Sequence, residues 1–241
     1  MVDIAILDFD GTIFSDGFID IGLIEEVYLR YEKILVVSNN SSIAHNTIED
    51  YLSPYLKYVL TPQVLAKAIF QNISLEISLC CSDEVMHYLN CDFYTSYPDI
   101  RNILKEVSLN SSNLFLQEYD IKKIAIIGKV DSKKLKKFIN EHLLAKYNLV
   151  GMNRDKIATS EGISKKTNLV GDSYEYKYDL GKTSLAFVYL IKNYCKYLDL
   201  NPLAVFGDNF LSDGKLANLL GIDYKKTIFG KNKFSKLISI K

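Results

Sequence analysis

The chain has 241 residues, 48% of them hydrophobic, enough to bury one large core or two modest ones. Lysine plus arginine equals aspartate plus glutamate at 29 each, so no broad field draws the protein toward nucleic acid or an anionic membrane, and any bound phosphate has to be held locally. No run approaches the ~20 apolar residues of a membrane span, and an acidic strand stands where a signal peptide would carry basic and then apolar residues; a cytoplasmic protein is expected, with neither nucleic acid nor membrane as partner.

The first element is the most informative. Ile4-Ala5-Ile6-Leu7 is an apolar run that stops at Asp8 and Asp10, two residues apart, and then turns at Gly11-Thr12. This reads as a buried strand delivering two carboxylates to the end of a sheet, where open α/β folds bind ligands. Asp and Gly are also ordinary turn formers, so the pair taken alone is equally a turn opening. Residues 33–37 form a second buried strand, ending at Ser38-Asn39-Asn40-Ser41-Ser42, a cluster that on its own also reads as a helix cap. Thr61-Pro62 has the form of a helix start, a capping residue followed by proline at the first helical position.

Residues 77–81 read as a strand, with Ser82-Asp83-Glu84 capping the helix behind it. Residues 123–128 read as another strand, and 133–147 as an amphipathic helix with Leu135, Phe138, Ile139 and Leu143 on one face. Its lysines, Lys133, Lys134, Lys136 and Lys137, form the solvated face. Residues 106–122 and 154–180 are polar and weakly periodic, as in an inserted module, and the alternation at Tyr174, Tyr176 and Tyr178 suggests an edge strand. Core texture returns with a helix over 182–198 and a strand over 203–206. Gly207-Asp208, then Asp213, lead into a helix closed by Gly221. Strands alternating with helices predict an α/β fold, a doubly wound (Rossmann-like), mainly parallel sheet.

Cys80, Cys81, Cys91 and Cys195 lack metal-ligand or redox spacing. His45, His87 and His142 lie on helical patterns and read as surface or packing residues. Taken singly, Lys182 is a surface lysine and Asp213 a helix cap. Their order along the chain with Asp8, Asp10, Ser38 and Asp208 is what carries a stronger reading.

That order, as DFDGT, VVSNN, LGKTS and FGDNFLSD, resembles the haloacid dehalogenase-like hydrolase superfamily. The Asn39-Asn40 doublet and the long insertion between the second and third motifs resemble its class IIA, the NagD and 4-nitrophenylphosphatase branch. So do Gly128-Lys129-Val130-Asp131 and Met152-Asn153-Arg154-Asp155. The chain departs from that branch with Thr183 where proline is common, and with Thr167-Asn168-Leu169-Val170-Gly171-Asp172 in place of a glycine-rich segment.

The resemblance implies a catalytic core over 1–70 and 178–241 and an inserted α/β cap domain over 71–177. It implies Asp8 as nucleophile and Asp10 as general acid and then base. Ser38, the Asn39 amide and Lys182 would hold the phosphoryl oxygens. Clustered carboxylates beside a phosphate dianion repel unless a cation sits among them, and Mg²⁺ suits side-chain oxygens of Asp8 and Asp208 with the Asp10 carbonyl. Asp213 would orient those ligands or Lys182, and Asn153 and Asp155 would face the substrate from the cap. The implied activity is hydrolysis of a phosphomonoester through an aspartyl-phosphate. The substrate would be a small soluble phosphorylated metabolite, sugar or polyol phosphates first, then nucleotides and pyridoxal phosphate; a cap-mediated homodimer is compatible with the resemblance.

A P-loop kinase is excluded because the glycine required five positions before Gly181 is Tyr176. A dehalogenase of the same fold has no use for Asp10 or Asp208. A phosphotransferase or phosphomutase would retain every motif and stays open at this point, as does a binding protein that has lost catalysis.

Overall fold

The structure, a computed structural model, describes residues 1–70, 76–90, 122–130, 132–152, 158–160, 163–165 and 178–240. The opening apolar run is strand β1 (Val2–Asp8), followed by a hairpin of β2 (Phe14–Ser15) and β3 (Phe18–Asp20) and by helix α1 (Ile21–Tyr28). Strand β4 (Lys33–Val37), helix α2 (His45–Leu52), strand β5 (Tyr58–Leu60) and helix α3 (Pro62–Phe70) come next. Then follow β6 (Glu76–Cys80), α4 (Asp83–Asn90), β7 (Lys123–Ile127), α5 (Ser132–Leu144) and β8 (Asn148–Gly151). A small hairpin, β9 (Ala158–Ser160) and β10 (Ile163–Lys165), precedes β11 (Tyr178–Asp179). The last part holds α6 (Leu185–Tyr197), β12 (Leu200–Gly207), a π-helical turn (Phe210–Gly214), α7 (Lys215–Leu220), β13 (Asp223–Lys226) and β14 (Leu237–Ser239).

Two sheets are parallel throughout. The first has the order β13-β12-β1-β4-β5 and the second β11-β8-β7-β6. Parallel strands are covered on both faces, which is why their sequences read as near-continuous apolar runs; Ile4, Ala5, Ile6 and Leu7 are fully buried. Ile4 and Ile6 pack with α3, α4 and α6 in a cluster that continues into Ile124, Ile126 and Val150 of the second sheet. Ala5 and Leu7 point to the opposite face, against α1 and α2. In the second sheet Ala125, Ile127 and Leu149 pack against Leu135 and Ile139 of α5. The architecture is therefore α/β and mainly parallel, with strand β1 at the centre and the chain departing to β4 on one side and β12 on the other. The crevice at the carboxyl ends beside β1 is the reversal point where such sheets bind ligands.

Four local details differ from the sequence reading. Helix α6 begins at Leu185, not 182, because Ser184 caps it by accepting from the Phe187 amide at 3.1 Å; Lys182 sits in the turn before it. Strand β12 runs 200–207, longer than the apolar 203–206. Leu143 is 49% exposed, whereas Leu135, Phe138 and Ile139 of its helix pack against the second sheet. Tyr178 lies on a two-residue edge strand that pairs with β8 of the second sheet, while Tyr174 and Tyr176, the rest of the alternation, lie outside the described residues.

The two sheets are tied together at one loop. Glu84 of α4 accepts from the Ala44 amide at 3.0 Å and the Thr47 hydroxyl at 2.6 Å. The Ser82 hydroxyl donates to the Ser42 carbonyl at 3.0 Å, and the Lys129 amide to the Ser41 carbonyl at 3.3 Å. A second tie joins distant parts of the first sheet's surroundings. Buried Asp20 caps α1 through the Leu23 amide and also accepts from Gly230, from Lys236 and, at 2.7 Å, from the Ser235 hydroxyl. The Phe229 amide donates to the Gly11 carbonyl and Ile240 to Gly17, while β14 pairs with β3. Among the described residues no helix is long and apolar enough to cross a membrane.

Candidate active site

Three strand ends and one turn meet beside β1. Strand β1 ends at Asp8, β4 at Ser38 and β12 at Asp208, and the turn before α6 brings Lys182. The Lys182 ammonium, 2% exposed, bonds Asp8 Oδ1 and, at 2.8 Å, Asp213 Oδ1. The Lys182 amide donates to Asn39 Oδ1 at 2.7 Å, and the Gly181 amide to Asp179 Oδ1 at 2.9 Å, so side chains from two other segments fix the turn. Asp8 Oδ2 accepts from the Thr12 hydroxyl at 3.2 Å, and that hydroxyl accepts from the Asp208 amide at 3.1 Å. Thr12 thereby joins the end of β1 to the end of β12.

Asp10 has a separate set of partners. The Ser38 hydroxyl donates to its Oδ2 at 3.2 Å, and the Asn40 amide group to both of its oxygens at 3.2 Å. Asn40 is itself held because its Oδ1 accepts from the Ser42 and Ile43 amides, each at 2.9 Å. The cluster 38–42 therefore does not cap α2: its N-terminus is served by Gln63, accepting from His45 at 2.9 Å, and by Glu84. Nor does Asp213 cap α7; it lies inside the π-helical turn, its Oδ2 accepting from the Asn209 amide at 3.2 Å.

Glycines make room for this packing. Gly11 adopts φ +77°, and a Cβ there would meet Asp208 Oδ2 at 2.7 Å. At Gly207 a Cβ would overlap the Asp213 carboxylate.

The charges do not balance among these side chains. Burial raises the Asp8 carboxyl well above the usual range, the Asp213 and Asp10 charges add to this, and Lys182 opposes them. Desolvation and the Asp213 charge likewise raise Asp208. Burial would lower the Lys182 ammonium, but Asp213 and Asp8 outweigh it and keep the ammonium firmly charged. One ammonium thus faces several carboxylates. Oxygens of Asp8, Asp208 and Asp213 lie within 4.8 Å of one another, with Asp208 exposed at the mouth. A hard divalent cation fits that all-oxygen donor set and its excess negative charge.

The structure brings Asp8, Asp10, Ser38, Asn39, Lys182, Asp208 and Asp213 into one crevice. Asn153 and Asp155 lie outside the described residues. Thr12 and Asn40, which the sequence marks as turn and motif residues without a role in the site, each bond one of its carboxylates. The histidines are elsewhere: buried His45 contacts Thr61 and Glu49, His142 stacks on Phe138, and His87 is exposed. Cys80, Cys81 and Cys195 are buried free thiols, and burial pushes those of Cys81 and Cys195 up to about 12; Cys91 lies outside the described residues.

No family model and no curated protein sequence matches the chain. Solved structures do. A 4-nitrophenylphosphatase from Thermotoga maritima superposes with a TM-score of 0.63 at 15% identity, over 96% of this chain and 88% of that one. A p-nitrophenyl phosphatase from Archaeoglobus fulgidus gives 0.60 at 16%, over 92% and 84%. The chain shares the haloacid dehalogenase-like fold of these solved structures and of one named for NagD. A glycerol phosphate phosphatase from Mycobacterium tuberculosis shares this haloacid dehalogenase-like fold, with a TM-score of 0.59 in complex with calcium and 0.61 with magnesium, both at 16% identity and over 92% of this chain. This chain spans 64% and 66% of the length of those two.

Proposed function

We propose that the protein is a magnesium-dependent phosphatase that hydrolyses phosphomonoesters of small metabolites through an aspartyl-phosphate. The observation that carries this reading is the Lys182 ammonium held between Asp8 and Asp213, with the Asp208 carboxylate beside them. It is supported by the solved phosphatases of the same fold.

In this reading a carboxylate oxygen of Asp8 attacks phosphorus in line with the departing alcohol oxygen. Asp10 gives that oxygen its proton as the P–O bond breaks. Water then attacks the phosphoryl group on Asp8; Asp10 takes the water's proton, and Asp8 and inorganic phosphate are released. Ser38 and Asn40, bonded to both Asp10 oxygens, fix the direction in which that proton moves. Lys182, the Ser38 hydroxyl and the Asn39 amide serve the phosphoryl oxygens as charge builds on them. Lys182 also keeps Asp8 correctly turned. Side chains of Asp8 and Asp208 with the Asp10 carbonyl would hold magnesium, and Asp213 would steady Asp208 and Lys182 from behind. Bound magnesium supplies charge neutralisation between these carboxylates and the phosphate.

Residues 1–70 and 178–241 would form the catalytic core and 71–177 a cap that limits access to small phosphorylated metabolites. A cytoplasmic location fits such substrates. Phosphate release from p-nitrophenyl phosphate tests the reading. It is expected from the wild type with magnesium, and not with a chelator nor from Asp8→Asn; equal release by Asp8→Asn overturns it.

A further inference from the structure

Lys129 has a role that the chemistry above does not use. It follows Gly128 at the end of β7, and its ammonium is shielded from solvent with no hydrogen-bond partner among the described residues. Lys129 as a residue is half-buried, and the two fully buried lysines among the described residues are satisfied: Lys182 by Asp8 and Asp213, and Lys67 by the Tyr88 carbonyl at 2.8 Å and the Tyr88 ring. An unpartnered buried ammonium is costly unless something binds it. Burial lowers its basicity, and the Asp10 charge acts against that.

The backbone holding Lys129 is firmly seated. The Gly128 amide donates to Cys80 at 2.9 Å and the Lys129 amide to Ser41 at 3.3 Å. A Cβ on Gly128 would meet Met152 Cε at 2.6 Å and the Ser41 carbonyl at 3.1 Å. Ser41 belongs to the loop whose Ser38 and Asn40 grip Asp10. A cation from the second sheet is thus delivered across that loop to the neighbourhood of Asp10. Asp10 accepts from Ser38 and Asn40, and no hydrogen bond joins it to the Lys129 ammonium.

We infer that Lys129 is a specificity-determining residue whose ammonium binds a carboxylate on the alcohol half of the substrate. This rests on the phosphatase reading, in which Asp10 faces the departing alcohol. The phosphoryl group is served by Lys182, Ser38 and Asn39, whereas Lys129 lies toward the leaving group. A neutral hydroxyl there would leave the ammonium's charge uncompensated, and a carboxylate cancels it. The preferred substrates are then phosphorylated hydroxy acids rather than neutral polyol phosphates.

The test compares kcat/KM for 3-phosphoglycerate and glycerol 3-phosphate, which differ by a carboxylate in place of a hydroxymethyl group, with p-nitrophenyl phosphate as a common reference. The wild type is expected to favour the acid. In Lys129→Met the acid-to-polyol ratio should fall by about tenfold to a hundredfold, the size of a charge-assisted hydrogen bond, mainly through KM, and Lys129→Arg should restore most of it. A wild type that favours glycerol 3-phosphate, or a ratio that Lys129→Met and Lys129→Gln leave unchanged, overturns the inference while p-nitrophenyl phosphate is still hydrolysed. Failure of the wild type to hydrolyse any of the three esters overturns the phosphatase reading beneath it.

Discussion

The two parallel sheets share a construction and differ in what their strands deliver. In the first, Asp8 ends β1, Ser38 and Asp208 directly follow β4 and β12, and Thr12, Lys182 and Asn40 cross-link the polar groups there. In the second, Gly128 and Lys129 directly follow β7, and they meet the Ser41 loop through a backbone contact beside one shielded ammonium. The difference separates two tasks. A preorganised, mutually repelling carboxylate cluster needs a rigid frame, whereas selecting a substrate needs only a few groups presented over it.

That division can be broken or sharpened by experiment. The largest effect is expected from Asp8→Asn, which should cut phosphate release from p-nitrophenyl phosphate by about a thousandfold or more. Its melting temperature in chelator should not fall, because the substitution removes a carboxyl that burial and neighbouring charge disfavour; a collapsed fold would tie chemistry and framework together. Lys182→Met should cost about 3–5 kcal/mol in urea titrations at neutral pH without metal, since it strands Asp8 and Asp213 beside each other.

Leu135→Ala should cost about 2–4 kcal/mol. Hydrogen exchange should show the loss at β7 and β8 amides before those of β1 and β12, because Leu135 packs with Ala125, Ile127 and Leu149; equal loss in both sheets would make them one cooperative unit. Magnesium should raise the melting temperature by a few degrees, and more at pH 8 than at pH 5. The folded pKa values of Asp8 and Asp208 lie above their ordinary 3.8, so the metal-free fold holds protons that the unfolded chain has released. The stability from these groups is complete below pH 3.8 and is lost as pH rises through the raised values. A shift independent of pH would place the cation elsewhere. The smallest effect is expected from Thr47→Ala, about 1 kcal/mol from the hydrogen bond to Glu84 that ties the sheets.

Much of the first sheet was legible because a strand buried on both faces has to be apolar and stops sharply where it reaches solvent. Asp8, Ser38 and Asp208 stand at such stops. Their roles toward one another were legible only through the family resemblance, because Lys182 and Asp8 lie 174 positions apart and the bond depends on the turn held by Asn39 and Asp179. The start of α6 was misplaced because Lys182 and Thr183 suit a helix, and only the Ser184 cap reveals its true beginning. The 38–42 cluster reads as a cap by composition, yet Gln63 and Glu84, brought from other helices, perform that task. Lys129 stands in the sequence only as one letter of the Gly128–Asp131 resemblance; the shielding of its ammonium arises only when β7 docks on the Ser41 loop.

The stitching of residues 229–240 onto Gly11, Gly17 and Asp20 sets an order of events during synthesis. Lys236 meets Asp20 across 216 positions, an interval that a ribosome covers in on the order of 10–40 seconds. Until then the loop following Asp8 lacks its outer buttress, so the nascent chain carries that loop unfinished until the late stretch has emerged and docked.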